Sequence, residues 1–385
     1  MLNFVFENPA KILFGKKQLP KLAQEIKKYS QRILLVYGSG SIKKIGLYDQ
    51  ITAILNENGI FFEELPGVQA NPRIDSVRRG VELCRGNSLS MVLAVGGGSV
   101  IDCAKAIAAG FYYPGDPWDF FKYTARVTEA LPLGVVLTMS ATGSEMNRNA
   151  VISNEETKDK RGIGSSHLIP RFAILDPTYT YSVPSEQTAA GVVDIMSHVF
   201  EQYFSVNDSA YLQDRMCEAV LKTCIHFGPI ALKEPDNYEA RSNLMWASTI
   251  GLNGLLSTGK VTDWATHTIE HELSALYDMT HGLGLAILTP HWMEYVLNDT
   301  TVSKFAEYAR YVWAVHGTDD YKVARQGIQL TREFFQSLGL GSKLSEAGVT
   351  EDSLAIMAQK ASFAPLGQFK KLDQSDVLNI LQAAY

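Results

Sequence analysis

The sequence predicts an α/β domain over residues 1–180 and an all-helical domain over residues 181–385. In the first half, short apolar runs alternate with amphipathic stretches, the pattern of a mostly parallel sheet covered by helices on both faces. Beyond about Pro184 the long segments have helical periodicity, and β-rich runs become scarce. A length of 385 residues also suits two domains of ordinary size.

Four apolar runs in the first half are predicted strands, with amphipathic helices between them. The strands cover residues 32–37, 60–64, 91–95 and 134–138, and the helices cover 47–58, 73–84 and a segment that begins near 100. In the second half the periodicity predicts helices at 187–204, 208–226, 237–255, 261–276, 283–296, 301–315, 320–337, 350–359 and 374–384.

The strand at 91–95 ends in Gly96-Gly97-Gly98-Ser99, directly before a predicted helix. Glycines in such a loop let backbone N–H groups approach a pyrophosphate, and the dipole of the following helix favours negative charge. The loop therefore predicts a nucleotide-phosphate site. Asp102, three residues further on, could hold a ribose hydroxyl or orient a nicotinamide amide, or could simply complement the helix dipole.

The loop after the first strand, Gly38-Ser39-Gly40-Ser41, is similar to a Rossmann turn but lacks the third glycine, because Lys43 stands there. Neither a complete Rossmann fingerprint nor a P-loop is present in the sequence. No Asp or Glu closely follows this strand to bind a ribose 2′-hydroxyl and repel a 2′-phosphate. The loop therefore favours NADP(H), although NAD(H) stays possible.

A third loop of small residues follows the strand at 134–138 and contains Thr138, Ser140, Thr142 and Ser144. It offers hydroxyls and backbone donors at the same edge of the predicted sheet. A nucleophilic serine is not indicated, since the GxSxG turn is absent.

Histidines and an aspartate recur at helical spacing in the second half. Asp194 and His198 are four residues apart on a predicted helix, and His267 and His271 repeat that spacing. His281 lies in the connection before another helix. One Asp with two or three His suits Fe²⁺ or Zn²⁺, but the spacing alone leaves open whether His267 or His271 is a ligand.

A nucleotide site combined with a Lewis-acid metal indicates hydride chemistry. The metal would polarise a carbonyl or stabilise an alkoxide while a nicotinamide exchanges hydride. His271, one turn from His267, could shuttle the proton or orient the substrate.

The composition excludes several classes of protein and partner. Asp and Glu number 41 against 35 Lys and Arg, and no basic run is longer than a pair, so neither nucleic acid nor an anionic membrane is an expected partner. Four cysteines without CxxC spacing are too few for a disulfide framework. With no recognisable signal peptide and no apolar run of about 18 residues, we expect a cytoplasmic protein.

Taken together, the motifs resemble the iron-containing alcohol dehydrogenase family, and within it the branch of butanol dehydrogenases and broad-specificity aldehyde reductases. The resemblance runs over essentially the whole chain. Its motifs are NPAKILFG (8–15), YGSGSIKK (37–44), NP (71–72), AVGGGSVID (94–102), ATGSEMN (141–147), ILDP (174–177), GVVDIMSH (191–198), DWATH (263–267) and HGLG (281–284).

This resemblance implies a dehydroquinate-synthase-like fold, in which an α/β dinucleotide-binding domain and a helical metal-binding domain enclose the active site. It implies that the metal ligands are Asp194, His198, His267 and His281, and it places His271 near the substrate as a catalytic residue beside His267. The implied cofactor-binding residues are Gly38, Ser39, Ser41, Gly97, Gly98, Ser99, Asp102, Thr138, Thr142, Lys158 and Tyr179.

The activity that the resemblance implies is the metal-dependent, NAD(P)H-linked interconversion of short-chain aldehydes and primary alcohols such as butanal and butanol, in a homodimer. A dehydroquinate-synthase-like lyase or a glycerol-dehydrogenase-like enzyme acting on a polyhydroxy substrate is the alternative. The segments 188–204 and 261–287 are poor in basic residues apart from histidine, which favours a small uncharged substrate over a phosphorylated one. A non-catalytic scaffold is a third possibility, which the intact loops and ligand positions disfavour.

Overall fold

A computed structural model describes residues 1–206 and 209–385, and eight strands are assigned within those ranges. Six of them form one parallel sheet in the order β1-β8-β5-β4-β2-β3, and the other two form an antiparallel hairpin, β6–β7. The strands are Lys11–Phe14 (β1), Arg32–Tyr37 (β2), Phe61–Leu65 (β3), Met91–Gly96 (β4), Leu133–Leu137 (β5), Asn149–Asn154 (β6), Asp159–Gly164 (β7) and Phe172–Leu175 (β8).

The central strands β2, β4 and β5 are buried along almost their whole length, which explains their continuous apolar runs. In register, Tyr37 lies opposite Val95, and Gly96 lies opposite Leu137. The carboxyl ends of these three strands therefore meet at one edge of the sheet, where the three small-residue loops begin.

The helices of the α/β part cover both faces of the sheet, as the sequence predicts. Two separate apolar clusters fill the two faces, one beneath the helices at residues 74–110 and one beneath those at 22–57. These helices are Leu22–Ile26 (α1), Ser41–Lys44 (α2), Leu47–Glu57 (α3), Ile74–Gly86 (α4), Gly98–Gly110 (α5) and Trp118–Phe121 (α6).

The second part of the chain is helical. The predicted segments are present with their ends shifted by at most seven residues, the largest shift being at the end of the helix predicted for 208–226, which continues to Lys233. The predicted start of that helix at Asp208 lies outside the described residues. The helices are Ser185–Tyr203 (α7), Tyr211–Lys233 (α8), Tyr238–Leu252 (α9), Ala265–Tyr277 (α10), His281–Val296 (α11), Val302–Trp313 (α12), Asp320–Ser337 (α13), Leu354–Ala361 (α14) and Gln374–Ala384 (α15).

The fold class that the sequence predicts is therefore confirmed: a parallel α/β domain precedes a helical one. Two compact units can be distinguished, one of Glu7–Val183 with Pro235–Thr249, and one of Met1–Phe6, Pro184–Glu234 and Ile250–Tyr385. A single boundary at residue 180 stays a prediction. In the described residues, no helix combines the length and apolar character needed to span a bilayer.

Candidate active site

The carboxyl edge of the sheet brings the three small-residue loops together. The backbone N–H of Thr138, at the end of β5, donates to the carbonyl of Gly96 at the end of β4, with an N–O distance of 3.1 Å. Gly38 follows β2 on the other side of β4. This is the position where open parallel sheets bind their ligands.

The glycine-rich loop leaves no room for larger residues. A Cβ added to Gly98 would lie 2.4 Å from Cγ2 of Thr142, and one added to Gly97 would lie 3.2 Å from Cβ of Met139. Gly98 and Ser99 form the first turn of α5, a helix of 13 residues. The backbone N–H groups at the N-terminus of α5 are therefore not covered by side chains of the glycines, and such groups can bind the pyrophosphate of a dinucleotide.

Asp102 lies one turn into α5 and is fixed on both oxygens. Its Oδ1 accepts from Ser144 Oγ at 2.6 Å, and its Oδ2 accepts from the backbone N–H of Val151 at 2.9 Å. Burial raises the pKa of this carboxyl, and the charge of Lys105 opposes that shift.

Four other predicted cofactor residues are exposed or only partly buried. Ser39 and Ser41 are exposed beside the half-buried Gly38, while Tyr179 packs partly buried against the core beneath α1 and α3. Lys158 is exposed in the turn of the β6–β7 hairpin, with a φ of 50°. Sequence reasoning missed Lys160, two residues on, which is only 8 % exposed and acts electrostatically on Asp102.

An acidic residue also approaches the first loop from a neighbouring strand. Glu64 on β3 accepts from the hydroxyls of Tyr37 and Tyr48, at 2.5 and 2.7 Å, and Lys43 lies 4.5 Å from the ring centre of Tyr48. The sequence gives no sign of this acid, because it lies 26 residues beyond Gly38 and is joined to the loop only through β2–β3 pairing.

In the helical unit the predicted metal ligands come together. Oδ1 of Asp194 lies 3.5 Å from Nδ1 of His198 and 3.6 Å from Nε2 of His281. The rings of His198 and His267 are 4.6 Å apart, and those of His267 and His281 are 5.3 Å apart. One ligand atom each of Asp194, His267 and His281 fits within a 4.8 Å span, and His198 packs beside them.

The donor set suits a divalent transition metal. Nε2 of His267 is buried and has no hydrogen-bond partner, so its lone pair is available to an ion. Burial, together with the neighbouring His267 and His281, lowers the pKa of His198 well below its usual value, and the neutral imidazole is the form that binds metal. One carboxylate with three imidazoles matches Fe²⁺ and Zn²⁺ equally well.

Two buried glutamates that sequence reasoning missed hold two of these histidines. Oε1 of Glu201 lies 2.8 Å from Nδ1 of His267 and also accepts from the backbone N–H of His267 at 3.1 Å. Glu270 contacts Nδ1 of His281 in the same way. Engaging Nδ1 directs Nε2 of each ring toward the metal position, the arrangement in which carboxylates orient metal-bound histidines.

The HGLG motif explains how His281 reaches Asp194. A Cβ on Gly282 would lie 2.1 Å from the backbone oxygen of Ala190, so α11 and α7 are in direct backbone contact. A Cβ on Gly284 would lie 2.8 Å from Cγ of Glu270, so this glycine makes room for the glutamate that holds His281. Both glycines are needed for close approach rather than for a turn.

His271 lies next to this cluster and is not a member of the group formed by Asp194, His267 and His281. Its ring centre is 5.8 Å from that of His281, and a second group of possible ligand atoms consists of Glu270, His271 and His281. Glu270 already contacts Nδ1 of His281 and accepts from Ser274 Oγ, so this second group is the less suitable metal site.

Comparison with known proteins gives the same picture over the whole chain. Residues 9–177 match the family described as iron-containing alcohol dehydrogenase, and residues 188–385 match the C-terminal domain of the Fe-containing alcohol dehydrogenase family. The NADH-dependent butanol dehydrogenase A of Clostridium acetobutylicum is 54% identical over 389 residues, covering 100% of both chains. The NADPH-dependent aldehyde reductase of Escherichia coli is 43% identical, covering 94% of this chain and 93% of that one.

Among solved structures, the NADH-dependent butanol dehydrogenase A of Thermotoga maritima superposes with a TM-score of 0.96 at 40% identity, covering 100% of this chain and 99% of that one. The resemblance drawn from the motifs is thus confirmed in both halves. The chain belongs to the iron-containing alcohol dehydrogenase family and is an oxidoreductase of the alcohol dehydrogenase class.

Proposed function

We propose that this alcohol dehydrogenase reduces short-chain aldehydes such as butanal to primary alcohols, and oxidises those alcohols in the reverse direction, with NAD(P)H and one divalent metal ion. The observation that carries the proposal is the cluster of Asp194, His267 and His281, with His198 beside it, in which the buried Nε2 of His267 has no protein partner. The names of its relatives, butanol dehydrogenase and aldehyde reductase, support the substrate class.

Asp194, His198, His267 and His281 would hold the metal, either Fe²⁺ or Zn²⁺. When bound, such an ion supplies a Lewis acid that polarises the aldehyde carbonyl. Glu201 and Glu270 keep the rings of His267 and His281 in one orientation, so that the ligands need not reorganise during the reaction.

Gly97, Gly98 and Ser99 would bind the pyrophosphate of the cofactor with their backbone N–H groups. Asp102 would lie on the nicotinamide side, and Thr138 and Thr142 would form the wall beside the adenosine and the phosphates. Gly38, Ser39 and Ser41 would also contact the adenosine end of the cofactor. We include Tyr179 and the β6–β7 hairpin among the cofactor contacts, with Lys158 as the exposed candidate and Lys160 as the buried one.

His271 would act near the substrate. It is close enough to His281 to reach a molecule held at the metal position, and an imidazole can donate the proton that the alkoxide oxygen needs when the alcohol forms. In the oxidation direction the same ring would accept that proton.

For the cofactor, we propose that both NADP(H) and NAD(H) are accepted, with NADP(H) favoured. The first loop has no acid of its own, and Ser39, Ser41 and Lys43 can face a 2′-phosphate. Both cofactors occur in the names of its relatives: four whose names include NADH-dependent are 46–54% identical, and one named NADPH-dependent is 43% identical. The charge of Glu64 and the higher identity to the relatives named NADH-dependent oppose this preference.

We further propose a cytoplasmic homodimer that acts on a small uncharged substrate. Light scattering on the purified protein gives the mass, and 42.5 kDa would be the value for a monomer. A measured mass of one chain would contradict the dimer.

The proposed function is tested by measuring NADPH and NADH oxidation with butanal. Protein stripped by a chelator and reloaded anaerobically with Fe²⁺ or Zn²⁺ is compared with the stripped protein. His267→Ala should lose metal and activity, whereas His316→Ala, the same change at an exposed histidine, should keep both. Nucleotide oxidation that survives complete metal removal, or none with either metal, would contradict the proposal.

A further inference from the structure

Lys105 is a buried cation that takes no part in the proposed reaction. Its side chain is 0 % exposed, yet its ammonium has four oxygen acceptors. These are Ser144 Oγ at 2.9 Å, the carbonyl oxygen of Asn147 at 3.0 Å, Oδ1 of Asn147 at 2.9 Å and the carbonyl oxygen of Asn149 at 2.8 Å. Such a charge is costly to bury, and only a full set of acceptors makes it tolerable.

All four acceptors belong to one short segment, residues 144–149, which wraps around the ammonium. The same segment fixes Thr142, because the Ser144 backbone N–H donates to Thr142 Oγ1 at 3.1 Å and Asn147 Nδ2 donates to the Thr142 carbonyl at 3.3 Å. Thr142 is the residue that a Cβ on Gly98 would strike. The ammonium therefore helps to determine how the third loop packs against the glycine-rich loop.

The donor and the acceptor can be assigned for each hydrogen bond that links Lys105, Ser144 and Asp102. An ammonium can only donate, so Ser144 Oγ must accept from Lys105, and its single proton is left for Oδ1 of Asp102 at 2.6 Å. A carboxylate only accepts when it is ionised, so the chain from Lys105 through Ser144 to Asp102 has one consistent arrangement. Lys105 thereby orients the Ser144 hydroxyl that donates to Asp102.

We propose that Lys105 is a positioning residue for the dinucleotide cofactor, which it serves without touching it. Through Ser144 it fixes the carboxylate of Asp102, and through Asn147 it fixes Thr142 beside Gly98. The inference rests on the proposed function, since it requires that the loop at residues 97–99 binds a dinucleotide.

The protonation of Lys105 agrees with this role. Burial lowers the pKa of its ammonium to about 8, although the charges of Asp102 and Glu145 act in the opposite direction. At neutral pH the group is therefore still mainly an ammonium, which can donate but cannot accept a hydrogen bond.

The test is direct titration of the metal-free protein with NADPH and with NADH, followed by the fluorescence of the bound nucleotide. Ser144→Ala removes the hydroxyl between Lys105 and Asp102 while keeping the buried cation, and we expect about tenfold weaker nucleotide binding. Lys105→Met should weaken it at least as much. Where Lys105→Met fails to fold, Ser144→Ala decides.

Thr249→Val is the matched control. Thr249 Oγ1 donates to Oε1 of Glu145 at 2.5 Å, so this variant removes one hydrogen bond from the adjacent residue of the same turn. It should lower the melting temperature as Ser144→Ala does, and leave nucleotide binding unchanged. In turnover assays Ser144→Ala should raise the KM for the nucleotide and leave the KM for butanal unchanged.

Two results would overturn the proposal. Wild-type affinity in Ser144→Ala would show that Asp102 needs no support from Lys105, and an equal loss in Thr249→Val would show that only general loop stability matters. Wild-type protein that binds neither nucleotide would instead refute the proposed function itself, and the inference with it.

Discussion

Gly282→Ala is expected to separate the proposed metal ligands without changing any of them. The new Cβ would lie 2.1 Å from the backbone oxygen of Ala190 and 2.6 Å from its carbonyl carbon. Both partners are backbone atoms of long helices, so no side chain can rotate away. Because Cβ contacts below 3.0 Å essentially never occur, α11 must retreat from α7 by about 0.9 Å.

That shift is large on the scale of metal coordination. Ligand distances tolerate about 0.2 Å, and His281 is the residue next to Gly282 while Asp194 is on the opposing helix. We expect at least about a tenfold loss of metal affinity and, with metal in excess, about a hundredfold loss of kcat. The overpacked contact should also lower the free energy of unfolding by about 1–3 kcal/mol.

The assay is competition for Zn²⁺ against a chromogenic chelator, with thermal unfolding of the stripped protein measured in parallel. Gly86→Ala is the control, since Gly86 ends α4 and a Cβ there would meet nothing within 4 Å. This variant should gain about 0.4–1 kcal/mol and bind metal normally. Wild-type metal affinity and stability in Gly282→Ala would refute the argument that backbone contact between the helices sets the ligand geometry.

Three other substitutions test separate parts of the site. Glu201→Gln keeps the shape of the side chain but weakens its hold on His267, so chelator competition should show about a 10–100-fold loss of metal affinity. Gly38→Asp fits sterically, since the atom nearest to the new Cβ would be 3.5 Å away. Its negative charge should repel a 2′-phosphate and reduce the NADPH/NADH ratio of kcat/KM about tenfold, and an unchanged ratio would place the 2′-phosphate elsewhere. His271→Ala should keep the metal and lower kcat about a hundredfold, and normal rates across the pH range would remove it from the mechanism.

The repetitive features of the fold could be predicted from the sequence. Buried parallel strands are continuous apolar runs, and the three loops after β2, β4 and β5 are recognisable because each places small residues where an apolar run stops. Strands β1 and β8, which are neighbours at one side of the sheet, escaped prediction, since each has only four residues and neither shows a clear alternation. The hairpin β6–β7 also escaped prediction, because its residues are largely polar and have the composition of a loop.

In the site, spacing identified the pairs that lie on a single helix. Asp194 and His198 share α7, and His267 and His271 share α10, so a helical period was enough to find them. Glu201 and Glu270 could not be assigned this way, because a glutamate on an amphipathic helix is normally exposed. The one signal in the sequence is that each glutamate follows a histidine by three residues, Glu201 after His198 and Glu270 after His267. This spacing indicates a role beside the histidines only once the structure shows that both glutamates are almost completely buried.

The exchange of segments between the two compact units bears on how the chain can fold during synthesis. Residues 235–249 complete the unit that otherwise ends at Val183: Met245 joins its apolar core, and Trp246 packs against Phe14 with ring centres 5.9 Å apart. A nascent chain emerging from the ribosome therefore has the whole sheet before it has the helix that finishes the packing around it. We expect a fragment that stops at Val183 to expose apolar surface and require a chaperone, and the fragment 1–183 supplied with 235–249 as a separate peptide to be better protected from proteolysis.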